Sequence, residues 1–149
     1  MITVDTNILV YCYDTKDPPR QEASLAVFDA ASSRSSKIGV QAIGELYNVL
    51  TSKLHRRPSE SARAARDMFA AFEGSFAPTV TAMQDALSTA SVGHLKYWDA
   101  LLVASAREAG CSVLLSEDMN PGPFRGIEIV KPFNKQGVLL DRARKLLDL

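Results

Sequence analysis

Ile2-Thr3-Val4-Asp5-Thr6-Asn7 puts a carboxylate directly after a short apolar strand and directly before residues that cap a helix. That is the start of a strand-to-helix unit, and the acid falls at the carboxyl end of the strand. The chain returns to this arrangement. Cys111-Ser112-Val113-Leu114-Leu115-Ser116 runs into Glu117-Asp118. The strand Lys37 to Val40 precedes the amphipathic helix that carries Glu45. Asp99 heads an apolar helical stripe through Leu102, Val103 and Ala106. In an α/β sheet, sites form in the crevice outside the carboxyl ends of the strands. Carboxylates gathered there raise one another's pKa unless a cation intervenes. A divalent metal is the simplest reason for such a gathering, so the chain reads as a metal-dependent hydrolase.

Working outward, strands and helices alternate. A helix is expected over Asn7 to Tyr13, capped by Thr6 or Asn7. Pro18-Pro19 reads as a break, followed by a helix from Gln21 to Ser32. Ile43, Leu46, Tyr47, Leu50 and Leu54 mark one helical face, which Pro58 ends. Ser59 is expected to cap the next helix, with Ala65, Met68, Phe69 and Phe72 inward. Phe76 to Val80 reads as extended. Thr81-Ala82-Met83-Gln84 has the form of a capping box, with Met83, Ala86, Leu87 and Ala90 on one side. A helix from Asp99 to Ala109 stops at Gly110. Asn120-Pro121-Gly122-Pro123 reads as a loop, Ile127 to Val130 as the last strand, and Val138 to Leu147 as a terminal helix. Short apolar strands with helices between them imply a parallel sheet covered on both faces.

The 149 residues suit one domain, and 46% hydrophobic composition provides a core without membrane character. No apolar run reaches the ~20 residues of a membrane span, and no secretory signal is visible. Cys12 and Cys111 lack metal-type spacing and read as reduced core thiols, which points to the cytoplasm. Seventeen basic residues balance seventeen acidic ones, without the broad basic surface of many nucleic-acid binders. The cations are unevenly spread: Lys53, His55, Arg56 and Arg57 cluster, with Arg63 and Arg66 close behind. They either guide phosphates or form a solvated helix end.

Each acid has a competing structural role. Asp5 and Asp99 both stand where an N-cap is common. Glu45 has the alternative of a first-turn glutamate favoured by the helix dipole. Asp118 has that of a solvated loop acid, which is the expected role of Glu117. Tyr97 and Trp98 flank Asp99 and are read as core packing ahead of base stacking. His94 lacks a His or Cys partner and reads as a helix-end residue.

Taken in order, Val4-Asp5-Thr6-Asn7-Ile8-Leu9, Gln41-Ala42-Ile43-Gly44-Glu45-Leu46-Tyr47-Asn48-Val49-Leu50, Tyr97-Trp98-Asp99-Ala100-Leu101-Leu102 and Val113-Leu114-Leu115-Ser116-Glu117-Asp118 resemble the PIN-domain ribonucleases, most closely the VapC toxins of toxin–antitoxin systems. The resemblance covers residues 1 to 131. It implies a three-layer α/β/α sandwich with a central parallel sheet of four or five strands. Residues 132–149 form a C-terminal extension whose terminal helix is expected to pack on the same domain. The family carries an acidic site for Mg²⁺ or Mn²⁺ and cleaves RNA. Carried over, Asp5 and Asp99 are direct metal ligands, and Glu45 and Asp118 act through water or a second ion. Asn7 and Ser116 support them. The implied partners are RNA, a VapB-type antitoxin and a second copy of the chain, with no membrane. Two other classes compete. A haloacid dehalogenase-like phosphatase needs a second Asp where Asn7 stands. A phospho-receiver, or a PIN scaffold without catalysis, would be a binding module.

Overall fold

The computed structural model describes residues 1–149. The β1 strand (Ile2–Val4) pairs in parallel with β4 (Val113–Leu115), and β4 with β6 (Ile127–Val130). The short β5 (Gly122–Phe124) lies antiparallel on β6 at the edge. On the other side β2 (Lys37–Gly39) pairs in parallel with β3 (Gly74–Phe76). A parallel bridge between Ile2 and Ser36 joins that pair to β1. The parallel strands therefore run β3-β2-β1-β4-β6, five in all, within the expected four or five.

Side chains alternate across this sheet as strand geometry requires. Ile2, Val4, Val113, Leu115 and Val130 enter one core with Ile8, Leu9, Val27, Leu46 and Leu50. Those come from α1 (Thr6–Tyr11), α2 (Pro18–Ser32) and α3 (Val40–Ser52). Ala64 and Met68 of α4 (Pro58–Ala70) join the same layer. Leu114, Ile127 and Ile129 face the opposite way and meet Leu102, Val103 and Ala106 of α6 (Tyr97–Glu108), against which α5 (Val80–Ser91) packs. These are the three layers that the resemblance implies. Ala143 and Leu147 of α7 (Asp141–Leu147) are buried in the first core. No helix is long and apolar enough to cross a membrane. Both cysteines are free and buried.

Several local expectations are corrected. Asp5 itself is the N-cap of α1, its Oδ1 accepting from Thr6 N–H at 2.7 Å. Pro18-Pro19 starts α2 rather than breaking the chain, because the first helical turn has no use for those missing N–H groups; Asp17 caps it. Pro58 likewise opens α4, with Arg57 and not Ser59 at the cap. Thr79, two residues before the expected capping box, caps α5 by accepting from Ala82 N–H at 3.0 Å. The buried face of α5 is Ala82, Ala86 and Thr89, and Met83 and Leu87 are exposed. Tyr47 and Phe69 are also exposed. The Pro121-Gly122-Pro123 stretch is no plain loop, since Gly122 and Pro123 belong to β5, where an edge strand tolerates Pro. The terminal helix begins at Asp141, not Val138.

The 132–149 segment is tied down at Gly137. This residue has φ +75°, and a Cβ there would stand 2.4 Å from the Pro19 carbonyl oxygen. Backbone cannot yield as a flexible side chain can. Gly137→Ala is expected to lower stability by about 2 kcal/mol or more in urea unfolding; an unchanged midpoint would show that this contact contributes nothing.

Candidate active site

The chain leaves β1 outward to β2 and β3, then returns to β4 and β6 on the other flank. The order reverses at the carboxyl end of β1, the position in an open α/β sheet where a crevice opens. Asp5 sits there. Helices that follow a parallel strand start at this edge, and helices that lead into one also begin there. The first brings Glu45 on α3 and the second brings Asp99 on α6. Ser116, Glu117 and Asp118 arrive directly from β4.

Asp5 is only 9% exposed. Three donors grip it: Thr6 N–H at 2.7 Å, Ser116 Oγ at 2.7 Å and Asn7 Nδ2 at 3.2 Å. Burial nonetheless wins. It pushes the Asp5 carboxyl up to about 6, against the hydrogen bonds from Ser116 and Thr6, with the charges of Asp99 and Glu45 adding to the rise. Ser116 is fully buried and also accepts from Met119 N–H at 3.3 Å, which fixes its rotamer.

Glu45 is held at both oxygens, by Thr6 Oγ1 at 2.8 Å and by Gln41 Nε2 at 2.8 Å. Thr6 thus ties the α1 start to α3. Glu45 lies beyond the first turn of α3, so the helix-dipole role does not apply. Asp99 is the third residue of α6, with Lys96 at the cap position, so it is no N-cap. Its carboxyl is raised, first by burial, with Lys96 opposing and Asp118 and Glu45 adding. The four acids are therefore within electrostatic reach of one another. Asp99 and Asp118 line one open cleft of about 620 Å³ together with Lys96 and Tyr97.

Two readings of neighbours are corrected. Glu117, expected in solvent, is 6% exposed, while Asp118 is exposed. Glu117 faces Lys131, whose Nζ is 4.0 Å away, and its own N–H donates to Asn7 Oδ1 at 3.4 Å. Trp98, expected in the core, is 62% exposed, its ring edge-on to Tyr97 at 5.0 Å. His94 is exposed just past α5, as a helix-end residue. The residues missed from sequence are Thr6 and Gln41. Gln41, four positions before Glu45, carries a weak signal, since i and i+4 share a helix face; Thr6, 39 positions away, carries none.

No three of these groups stand close enough to share one metal ion as they are. The donor set still fits a hard divalent ion, which takes oxygen ligands. Asp5 has about four acceptor positions, of which three are occupied. Asp99 and Asp118 accept no hydrogen bond and are free to turn inward.

The geometry defines an acidic, oxygen-lined cleft at the switch point of a three-layer α/β sandwich. The PIN domain family model matches residues 2–124, and the chain belongs to that family. Among solved structures it is similar to VapC20 of Mycobacterium tuberculosis, a sarcin-ricin loop cleaving toxin. The identity is 19% and the TM-score 0.58, covering 76% of this chain and 87% of that one. It is also similar to a chain of the DNA-bound VapBC complex from Salmonella typhimurium, at 18% identity and TM-score 0.59, covering 87% and 96%. No curated protein matches the chain significantly.

Because its folded pKa is about 6 against an ordinary 3.8, native Asp5 holds its proton more tightly than the unfolded chain does. Stability is then lost as pH rises through that window, and the deficit is complete above it. In a chelator, Asp5→Asn is expected to raise stability at pH 7 by on the order of 2 kcal/mol. The gain should vanish below pH 4, as thermal unfolding across pH would record. A gain independent of pH would contradict this.

Proposed function

We propose that the protein is a metal-dependent endoribonuclease acting as the toxin of a toxin–antitoxin pair. The observation that carries this is the buried, triply hydrogen-bonded Asp5 carboxylate at a switch point it shares with Glu45, Asp99 and Asp118. Membership of the PIN family and similarity to two VapC chains support it. Asp5 and Asp99 are assigned as direct ligands of Mg²⁺ or Mn²⁺. Glu45 and Asp118 act through water or a second ion, and Asn7 and Ser116 hold Asp5. A divalent ion bound there supplies a more acidic water and neutralises charge building on the phosphodiester.

The chain's own residues do the rest. Ser116, Asn7 and Thr6 N–H fix the Asp5 oxygens in direction. Thr6 and Gln41 leave Glu45 one orientation, from which it can hold a water by its remaining lone pairs. Trp98 offers an exposed ring beside Asp99, on which an RNA base can stack. A VapB-type antitoxin and a second copy of the chain are the assigned protein partners, the Salmonella neighbour being part of a VapBC complex. Residues 1–131 are assigned as the PIN unit, with 132–149 as an extension that completes its core.

Incubation with total RNA and Mg²⁺ or Mn²⁺ tests the assignment. Wild type should cleave; EDTA, Asp5→Asn and Asp99→Asn should reduce cleavage to background. Activity that survives EDTA, or is equal in all three proteins, would sink the metal site. Thr6→Val acts one step out, through Glu45, and is expected to cost about 10- to 100-fold in activity or metal affinity.

A further inference from the structure

The α1 and α3 helices pack side by side, and both begin at the acidic edge. Asp5 precedes α1 and Tyr13 follows it; Glu45 lies on α3 and Lys53 is its C-cap. Each interval is eight residues, about 12 Å of helix at 1.5 Å per residue. At that far end is a small cavity of about 120 Å³, walled by the turn after α1 and the turn after α3. Lys16, Lys53, His55 and Arg56 line it, with Asp14 as the one acid. Asp14 Oδ1 is engaged by Lys16 N–H at 3.1 Å within its own turn. His55, a non-glycine residue, holds φ +53°, a conformation that persists where surrounding structure enforces it and that clusters at ligand clamps. Arg56 is fixed as a wall, stacked 5.1 Å over the Tyr13 ring and donating to the Tyr13 carbonyl at 3.2 Å.

The cations around this cavity are free of ion pairs. Arg20, Arg34, Arg107, Arg125, Lys131 and Arg142 each pair with an acid. None of Lys16, Lys53, Arg56, Arg57, Arg63 or Arg66 does. Helix C-termini account for part of that charge, since the dipole favours cations there. They do not account for a cavity in which the cations of two separate turns converge.

We propose that this cavity binds a backbone phosphate of the RNA strand whose scissile phosphate lies at the acids, the two sites bridged by the α1–α3 surface. The inference rests on the ribonuclease assignment. One end of the two helices repels phosphate until a cation is bound; the other attracts it directly. The cavity holds the strand in register while the acidic end acts on it.

The test is fluorescence anisotropy with a short fluorescein-labelled single-stranded RNA across a salt series, in the Asp5→Asn protein so that the probe survives. Adding Lys16→Ala with Lys53→Ala should weaken binding and make the log-affinity against log-salt slope shallower by about 0.7, one single-strand phosphate contact. Lys135→Ala with Lys145→Ala, at unpaired cations elsewhere, should leave both unchanged. Unaltered affinity and slope in the Lys16/Lys53 variant would overturn the proposal. So would unaltered RNA binding with lost binding of a polyglutamate peptide, which would assign the cavity to an acidic protein segment. The two assignments fail separately. Absent RNA cleavage with this loss intact removes the nuclease and keeps the cavity. Cleavage present with the loss absent removes the cavity alone.

Discussion

The Asp5 carboxylate is kept out of water at the carboxyl end of the central strand, and three hydrogen bonds do not restore what hydration would give it. Its neighbours are placed by that strand. Ser116 reaches it because β4 pairs with β1 in parallel with Val4 opposite Leu115, so the next residue of each chain leaves the sheet side by side. Asn7 and Thr6 reach it because Asp5 caps α1. A group that is unstable in its charged form, yet held so firmly, is strain concentrated at a site. A cation removes that strain, and the other acids are arranged around the same opening.

The acids then differ by how they are held. Asp5 is buried and gripped, Glu45 is clamped at both oxygens, and Asp99 and Asp118 accept nothing. Thr6 connects the first two: its N–H serves Asp5 and its hydroxyl serves Glu45. A single residue at the start of α1 thus couples two strands' worth of site. The same pair of helices carries the acids at its start and unpaired cations at its end. Formal neutrality of the chain therefore hides a polarity running along one surface.

Much of the fold was legible because short apolar strands and 3.6-residue stripes are local signals. Ile2–Val4, Val113–Leu115 and Ile127–Val130 needed only burial on both faces. Boundaries were misjudged where one residue type serves opposite purposes. Proline ends a helix interior but suits a first turn, which is how Pro18 and Pro58 were misplaced. The buried face of α5 keeps Ala86 but includes Ala82 and Thr89 in place of Met83 and Leu87, because small side chains let α5 pack closely on α6. At the site, order along the chain marks Asp5, Glu45, Asp99 and Asp118. Their separate environments were not legible. Whether Glu117 or Asp118 enters protein depends on how the chain bends after β4, and whether Trp98 is covered depends on what α3 leaves open. The Thr6–Glu45 contact spans 39 positions, beyond any pattern a single sequence displays.

Everything at the site turns on Asp5 as a buried carboxylate that holds its proton tightly until a divalent cation binds beside it. The most direct measurement is the NMR titration of its side-chain carboxyl carbon, in chelator and in Mg²⁺. The expected midpoint lies near 6 in chelator and moves down when Mg²⁺ is added. A midpoint near the ordinary 3.8 without metal, or one that Mg²⁺ leaves in place, would contradict it.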